Sequence, residues 1–173
     1  MSRDPATGLS ERAREQLQTV LALLAEERAS VSSVVDQRAW QVHVIDSLTG
    51  LEVPELPEAR RIADVGAGAG FPGLALAAAL SEARVDLIES VGRKCEFMRH
   101  AAEAAGIGNA TIVNARSEEW AASEGREAYD AVTARAVGRL STLAELASPL
   151  LKPNGVLVAW KGRRDEDEER QLA

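Results

Sequence analysis

The stretch Asp64-Val65-Gly66-Ala67-Gly68-Ala69-Gly70-Phe71-Pro72-Gly73 limits the fold more than any other part of the chain. It separates an apolar run at 61–65, which reads as a strand, from a helical pattern at 72–80. Glycines at such a turn let the backbone reverse and approach a ligand where a Cβ would clash. Pro72 suits the first position of the helix, where a missing N–H costs nothing. A strand, a glycine turn and a helix in succession are a unit of a parallel sheet. The rest of the chain repeats the alternation. Strand-like runs at 85–89, 110–113, 129–134 and 156–161 are interleaved with helical patterns at 91–105 and 140–151, and Gly106 is a natural helix stop. The expected class is α/β, a mostly parallel sheet with helices on both faces.

Ahead of that pattern lies a helical layer. Residues 10–29 read as an amphipathic helix, with Ser10 as N-cap, Glu11 in the first turn, and Leu17, Val20, Leu21 and Leu24 on one face. Residues 29–33 read as a break. A second helical stretch at 34–49 carries Trp40, His43, Val44, Asp46 and Leu48, and residues 50–59, with Pro54 and Pro57, read as a linker. The expected organisation is therefore an N-terminal layer and linker over 1–59, a ligand-binding domain over 60–162, and a charged tail over 163–173 that reads as a solvated helix or disordered end.

Composition narrows the function. A chain of 173 residues suits one core, and 46 % apolar with 27 % charged residues is ordinary for a globular protein. No apolar run approaches the roughly 20 residues that span a bilayer, and the polar N-terminus has no signal region. A single cysteine and two histidines give no metal-ligand spacing. The protein is expected to be cytoplasmic, monomeric and metal-free, with no membrane partner. Its net charge of −7 disfavours a free-standing nucleic-acid binder, so an RNA-modifying enzyme of this composition needs a local basic patch.

The glycine loop admits two ligands. Gly68-Ala69-Gly70-Phe71-Pro72-Gly73 satisfies the dinucleotide pattern G-x-G-x-x-G. Asp64 tilts against that reading, because a carboxylate at the strand end repels a pyrophosphate and favours the cationic ammonium and sulfonium of S-adenosylmethionine. Pro72 also removes an N–H that a pyrophosphate would use. Glu89 closes the next strand, where a carboxylate accepts both ribose hydroxyls of an adenosine in either kind of site. Arg135 ends the strand at 129–134, at the edge where open α/β sheets bind ligands.

These residues carry a family resemblance. Asp64 to Gly73, with its proline–glycine pair, resembles the first motif of the 16S ribosomal RNA guanine-N7 methyltransferases, the RsmG or GidB family. His43-Val44-Ile45-Asp46-Ser47-Leu48 is similar to the family's segment ahead of the first strand. Glu89-Ser90-Val91-Gly92-Arg93-Lys94-Cys95-Glu96-Phe97-Met98, Asn114-Ala115-Arg116-Ser117-Glu118-Glu119 and Thr133-Ala134-Arg135-Ala136 resemble further family stretches in order and spacing. The usual Trp-Asn and Asn-Leu pairs of the N-terminal layer are not evident.

The resemblance implies a seven-stranded, Rossmann-like class I methyltransferase. Its expected reaction is methyl transfer from S-adenosylmethionine, without a metal, to N7 of a guanine in the 530 loop of 16S ribosomal RNA. Family members continue past the position of Gly162 and complete the sheet with two strands, so those strands are expected to be absent here. Carried over by position, the cofactor contacts are Gly66, Phe71, Ser117, Glu118 and Arg135; Asp64, Gly68, Gly70 and Glu89 join them on physical grounds. Arg135 is also expected to place the guanine, with no general base. Arg93, Lys94, Arg99, Arg139, Lys161, Arg163 and Arg164 are candidates for an RNA-facing patch within an assembled or partly assembled small subunit. Cys95, on an apolar helix face with Met98, Ala102 and Ala105, is expected in the core. The rival readings are a methyltransferase acting on another RNA or a small molecule, a nicotinamide-dependent oxidoreductase, and a non-catalytic cofactor-binding domain.

Overall fold

The computed structural model describes residues 5–27, 38–135 and 138–161. Five strands, β1 (Arg61–Val65), β2 (Arg84–Glu89), β3 (Ala110–Asn114), β4 (Tyr129–Arg135) and β5 (Leu151–Trp160), form one sheet in the order β3-β2-β1-β4-β5. Every pairing is parallel. The chain leaves β1 in one direction and returns to β4 on its other side. That reversal opens a crevice at the carboxyl ends of β1 and β4, the place where such sheets bind ligands.

Seven helices are described: α1 (Glu11–Glu26), α2 (Asp46–Leu48), α3 (Glu55–Glu58), α4 (Gly73–Ala79), α5 (Gly92–Ala105), α6 (Ser117–Ala121) and α7 (Leu140–Ala147). The strands alternate their faces, as a period of two requires. Ile62, Val85 and Leu87 pack with Leu74 and Leu76 of α4, Met98 of α5, and Leu17 and Val20 of α1. Ala63, Val65, Ile88 and Val132 pack on the other face with Ala121 of α6 and Ala147 of α7.

Local signals explain most element ends. The Ser10 hydroxyl accepts the Ala13 N–H at 3.1 Å and caps α1, whose Ala13, Leu17, Val20 and Leu24 are buried at helical spacing. Gly106 closes α5 in the left-handed conformation, with φ 66°. Cys95 is buried in that helix, as its spacing implied.

Several boundaries differ from the sequence reading. The described part of 34–49 opens as a π-helical turn, Trp40–Ile45, before α2. The linker at 50–59 instead holds a 3-10 turn, Thr49–Glu52, and α3, because Leu56 inserts into the main core. The helix at 140–151 stops at Ala147, since Leu151 is already paired with Tyr129. Register then jumps: Val156 pairs with Ala131, and residues 152–155 bulge out with Asn154 at φ 67°. Residues 28–37 and the tail from 162 lie outside the described residues, so the break at 29–33, Arg163 and Arg164 do too.

Candidate active site

The glycine loop is folded by its own backbone onto β2. The N–H groups of Gly66 and Ala67 both donate to the Ile88 carbonyl, at 2.9 and 3.2 Å. Gly66, Gly68 and Gly70 take φ of 67°, 58° and 95°, a region closed to most side chains. The Gly68 N–H donates to Glu89 Oε2 at 3.0 Å, and the Val91 N–H donates to Oε1 at 2.9 Å. Glu89 therefore ties the loop to the end of β2. Each carboxylate oxygen accepts one bond here and has capacity for another, so the side chain can still receive ribose hydroxyls.

Glu89 borders a cleft of about 260 Å³ at the carboxyl ends of β1, β2 and β3. Gly66, Ser117 and Glu118 line the same cleft, and Leu146 of α7 closes one wall. Asn114 shapes the rim, its Nδ2 donating to the carbonyls of Glu89 and Ser90 at 3.0 and 3.2 Å. Four of the residues singled out from the sequence thus meet in one place, and Gly68 is bonded to one of them.

Asp64 sits beneath the loop. It is fully buried on the α4 side of the sheet, where its Oδ2 accepts the Gly73 N–H at 2.9 Å and its Oδ1 accepts the Thr133 hydroxyl at 2.9 Å. Gly73 makes the first bond possible, because a Cβ there would lie 2.8 Å from Asp64 Oδ2 and 2.7 Å from Leu87. Burial pushes the Asp64 pKa up to about 7, opposed by the Thr133 hydroxyl, the Gly73 N–H and the positive charge of Arg135. The first helix N–H is thereby spent on the protein's own carboxylate. A pyrophosphate loses a donor it would need, in line with the argument against a dinucleotide.

Phe71 and Arg135 do not line the cleft. They lie on the far side of the crevice against the N-terminal layer, with the guanidinium carbon 6.0 Å from the Phe71 ring centre. Arg135 Nη1 donates to the Val42 carbonyl at 2.9 Å and to Asp46 Oδ2 at 3.3 Å, while Nη2 lies 3.3 Å from His43 Nδ1. His43 also stacks on Phe71, with ring centres 5.0 Å apart. Gly70 belongs to neither side; the position its side chain would occupy is filled by Leu74.

Thr133 and Asn114 each open one of the family-like stretches but were given no role from the sequence. A hydroxyl within an apolar strand, two residues before Arg135, was a signal for Thr133 that could have been used. Of the basic candidates, Arg93 and Lys94 open α5, Arg139 precedes α7 and Lys161 follows β5, all at the carboxyl edge beside the crevice. Arg99 lies further along α5, and Lys161 donates to the Gly138 carbonyl at 2.9 Å.

Sequence comparison decides between the ligand readings. The profile of the GidB family, described as rRNA small subunit methyltransferase G, matches residues 11–173. The chain belongs to the GidB family. It is 37 % identical over 163 residues to "Ribosomal RNA small subunit methyltransferase G" of Staphylococcus haemolyticus, covering 92 % of this chain and 68 % of that protein. It is 44 % identical over 163 residues to the protein of the same name from Rubrobacter xylanophilus, covering 91 % and 62 %. Members of the family are thus similar to this chain across nearly all of its length, while the chain spans about two thirds of theirs. Solved structures agree on the fold. A methyltransferase from Geobacter sulfurreducens has a TM-score of 0.62 at 17 % identity, covering 90 % of this chain and 78 % of that one. An O-methyltransferase from Bacillus cereus in complex with SAH has a TM-score of 0.59 at 20 % identity, covering 87 % and 66 %. The GidB chain therefore has a class I S-adenosylmethionine-dependent methyltransferase fold. Among the described residues, no helix is long and apolar enough to cross a membrane.

Proposed function

We propose that this protein transfers a methyl group from S-adenosylmethionine to N7 of a guanine in the 530 loop of 16S ribosomal RNA. The observation that carries this reading is membership of a family described as rRNA small subunit methyltransferase G, with the family's glycine motif folded against Glu89 at the carboxyl edge. The bound donor supplies an electrophilic methyl on a sulfonium. Glu89 would accept the ribose hydroxyls, Gly66 and Gly68 would let the backbone approach the donor, and Ser117 and Glu118 would border the adenosine. Phe71 and Arg135, across the crevice from that cleft, would face the methyl-bearing end.

Guanine N7 presents an in-plane lone pair and no proton. As it bonds to the methyl carbon, the carbon–sulfur electrons pass to sulfur, and the base takes the positive charge. No general base is needed, so the residues act by in-line placement and by excluding water. Arg93, Lys94, Arg139 and Lys161 supply cations at the same edge, where they can meet RNA phosphates around the target base.

The test is methyl transfer from labelled S-adenosylmethionine to small subunits from a strain lacking the modification, with the product mapped. Label at one N7-methylguanine in the 530 loop is the expected result; label elsewhere, or on a small molecule only, would overturn it. Naked 16S RNA is expected to be a poorer substrate than an assembled or partly assembled subunit. A chain of net charge −7 neutralises few phosphates unaided. Equal rates on deproteinised RNA would contradict this.

A further inference from the structure

His43 touches both Phe71 and Arg135, yet the chemistry requires no histidine. It is 5 % exposed and stacks on Phe71 at an interplanar angle of 23°. A guanidinium has donors only, so at the 3.3 Å contact with Arg135 the His43 Nδ1 is the acceptor. The other terminal nitrogen, Nη1, is held by the Val42 carbonyl and Asp46. All three acceptors come from one short segment. The wide turn Trp40–Ile45 carries Val42 and His43 and runs directly into Asp46 at the start of α2, and turns of this π type recur at functional sites. The Ser47 hydroxyl donates to the His43 carbonyl, and Trp160 Nε1 donates to the Asp46 carbonyl at 2.7 Å, so the segment is itself anchored.

Arg135 needs such an anchor for an electrostatic reason. It ends β4 beside the crevice, where the donor brings a positive sulfonium. An untethered guanidinium there would repel the donor and would not hold one position toward the incoming base.

We propose that His43 is a positioning residue for methyl transfer. By accepting from Arg135 and stacking on Phe71, it holds the guanidinium toward the N-terminal layer and off the sulfonium. The proposal rests on the S-adenosylmethionine reading of the site and not on which RNA position is methylated.

Two variants separate the two contacts. His43→Phe keeps a flat ring on Phe71 and removes the acceptor, whereas His43→Asn keeps an acceptor oxygen and removes the stack. Calorimetry on the full chain gives the Kd for S-adenosylmethionine and for neutral S-adenosylhomocysteine. His43→Phe is expected to weaken the cationic donor about five- to tenfold more than the neutral product, because only the former feels a loosened positive charge. His43→Asn should largely restore the ratio. In the pair His43→Phe with Arg135→Met, the ratio shift should vanish, because the charge that caused it is gone. Equal weakening of both ligands in His43→Phe would mean that His43 only packs, and would overturn the proposal. So would a ratio shift that survives removal of Arg135.

A measurement on the unaltered protein stands beside these and does not depend on the variants folding. Nitrogen NMR of His43 should show the proton on Nε2 and a lone pair on Nδ1; a proton on Nδ1 would contradict the proposal. If the unaltered protein binds neither ligand, the methyl-donor reading itself fails and the proposal goes with it. If both ligands bind and the ratio never moves, the proposal alone fails.

Discussion

The two sides of the crevice are built differently. On the cleft side, the loop is fastened to β2 by backbone N–H groups: Gly66 and Ala67 donate to the Ile88 carbonyl and Gly68 donates to the Glu89 carboxylate, while Ser117 lines the same cleft from the start of α6. On the other side, Phe71 and Arg135 are placed by a separate helical layer, through the side chains of His43 and Asp46 and the Val42 carbonyl. Asp64 lies under both, tied to α4 and β4 together. The cleft side is thus built within one strand–loop–strand unit of the sheet, while the Phe71–Arg135 side depends on packing of the N-terminal layer.

The largest effect should come from the group shared by the two sides. Burial raises the Asp64 pKa from the ordinary carboxylate range to about 7. Its neutral form is the one the fold prefers, so its contribution to stability is full below the unfolded pKa and is lost as pH rises toward 7. Asp64→Asn removes that titration. The stability of the variant relative to the original should rise between pH 4 and 7 by on the order of 4 kcal/mol, then level off. Urea unfolding at a series of pH values measures it; a difference that does not change with pH would show that the buried charge carries no such cost.

Next in size is Glu89→Ala, which strikes the cleft side alone. It strands two backbone N–H groups and removes the acceptor for the ribose, so affinity for S-adenosylhomocysteine should fall roughly a hundredfold, given about 1.5–3 kcal/mol for a hydrogen bond to a charged group. Calorimetry reads this directly, and a loss under threefold would mean that the loop does not depend on Glu89.

Gly73→Ala tests the join between Asp64 and α4. Its Cβ would meet Leu87 and Asp64 below 3 Å, and overpacking of this kind costs about 1–3 kcal/mol. Denaturant unfolding should show that loss, and unchanged stability would mean that α4 shifts freely.

The smallest expected effect is on the other side. Trp160→Phe keeps most of the ring area but loses the N–H bond to the Asp46 carbonyl, a change of about 1 kcal/mol. The expected signature is unequal: a slower methyl-transfer rate with S-adenosylhomocysteine affinity preserved. Equal loss of both would blur the distinction between the two sides.

The legible features share a property. The strand at 61–65 was found to the residue, and β2 through β4 to within a residue or so, because apolar runs bounded by glycine or polar turns are local patterns. The helix α6 escaped notice because five residues are too few to show a period. The π-helical turn was invisible because its residues also satisfy an ordinary helical pattern. Asp64 was correctly placed at a strand end, but the ligand it was expected to face is replaced by Gly73 and Thr133, the latter 69 positions away in the chain.

The amino-acid sequence by itself determined the alternating parallel architecture, the glycine loop and the acidic end of β2. These depend on backbone sterics and on neighbours a few residues apart. Only the tertiary structure decided which residues hold Arg135. Its partners His43 and Asp46 lie 92 and 89 positions earlier, and the packing of a helical layer against the end of β4, not any local preference, brings them within 3.3 Å.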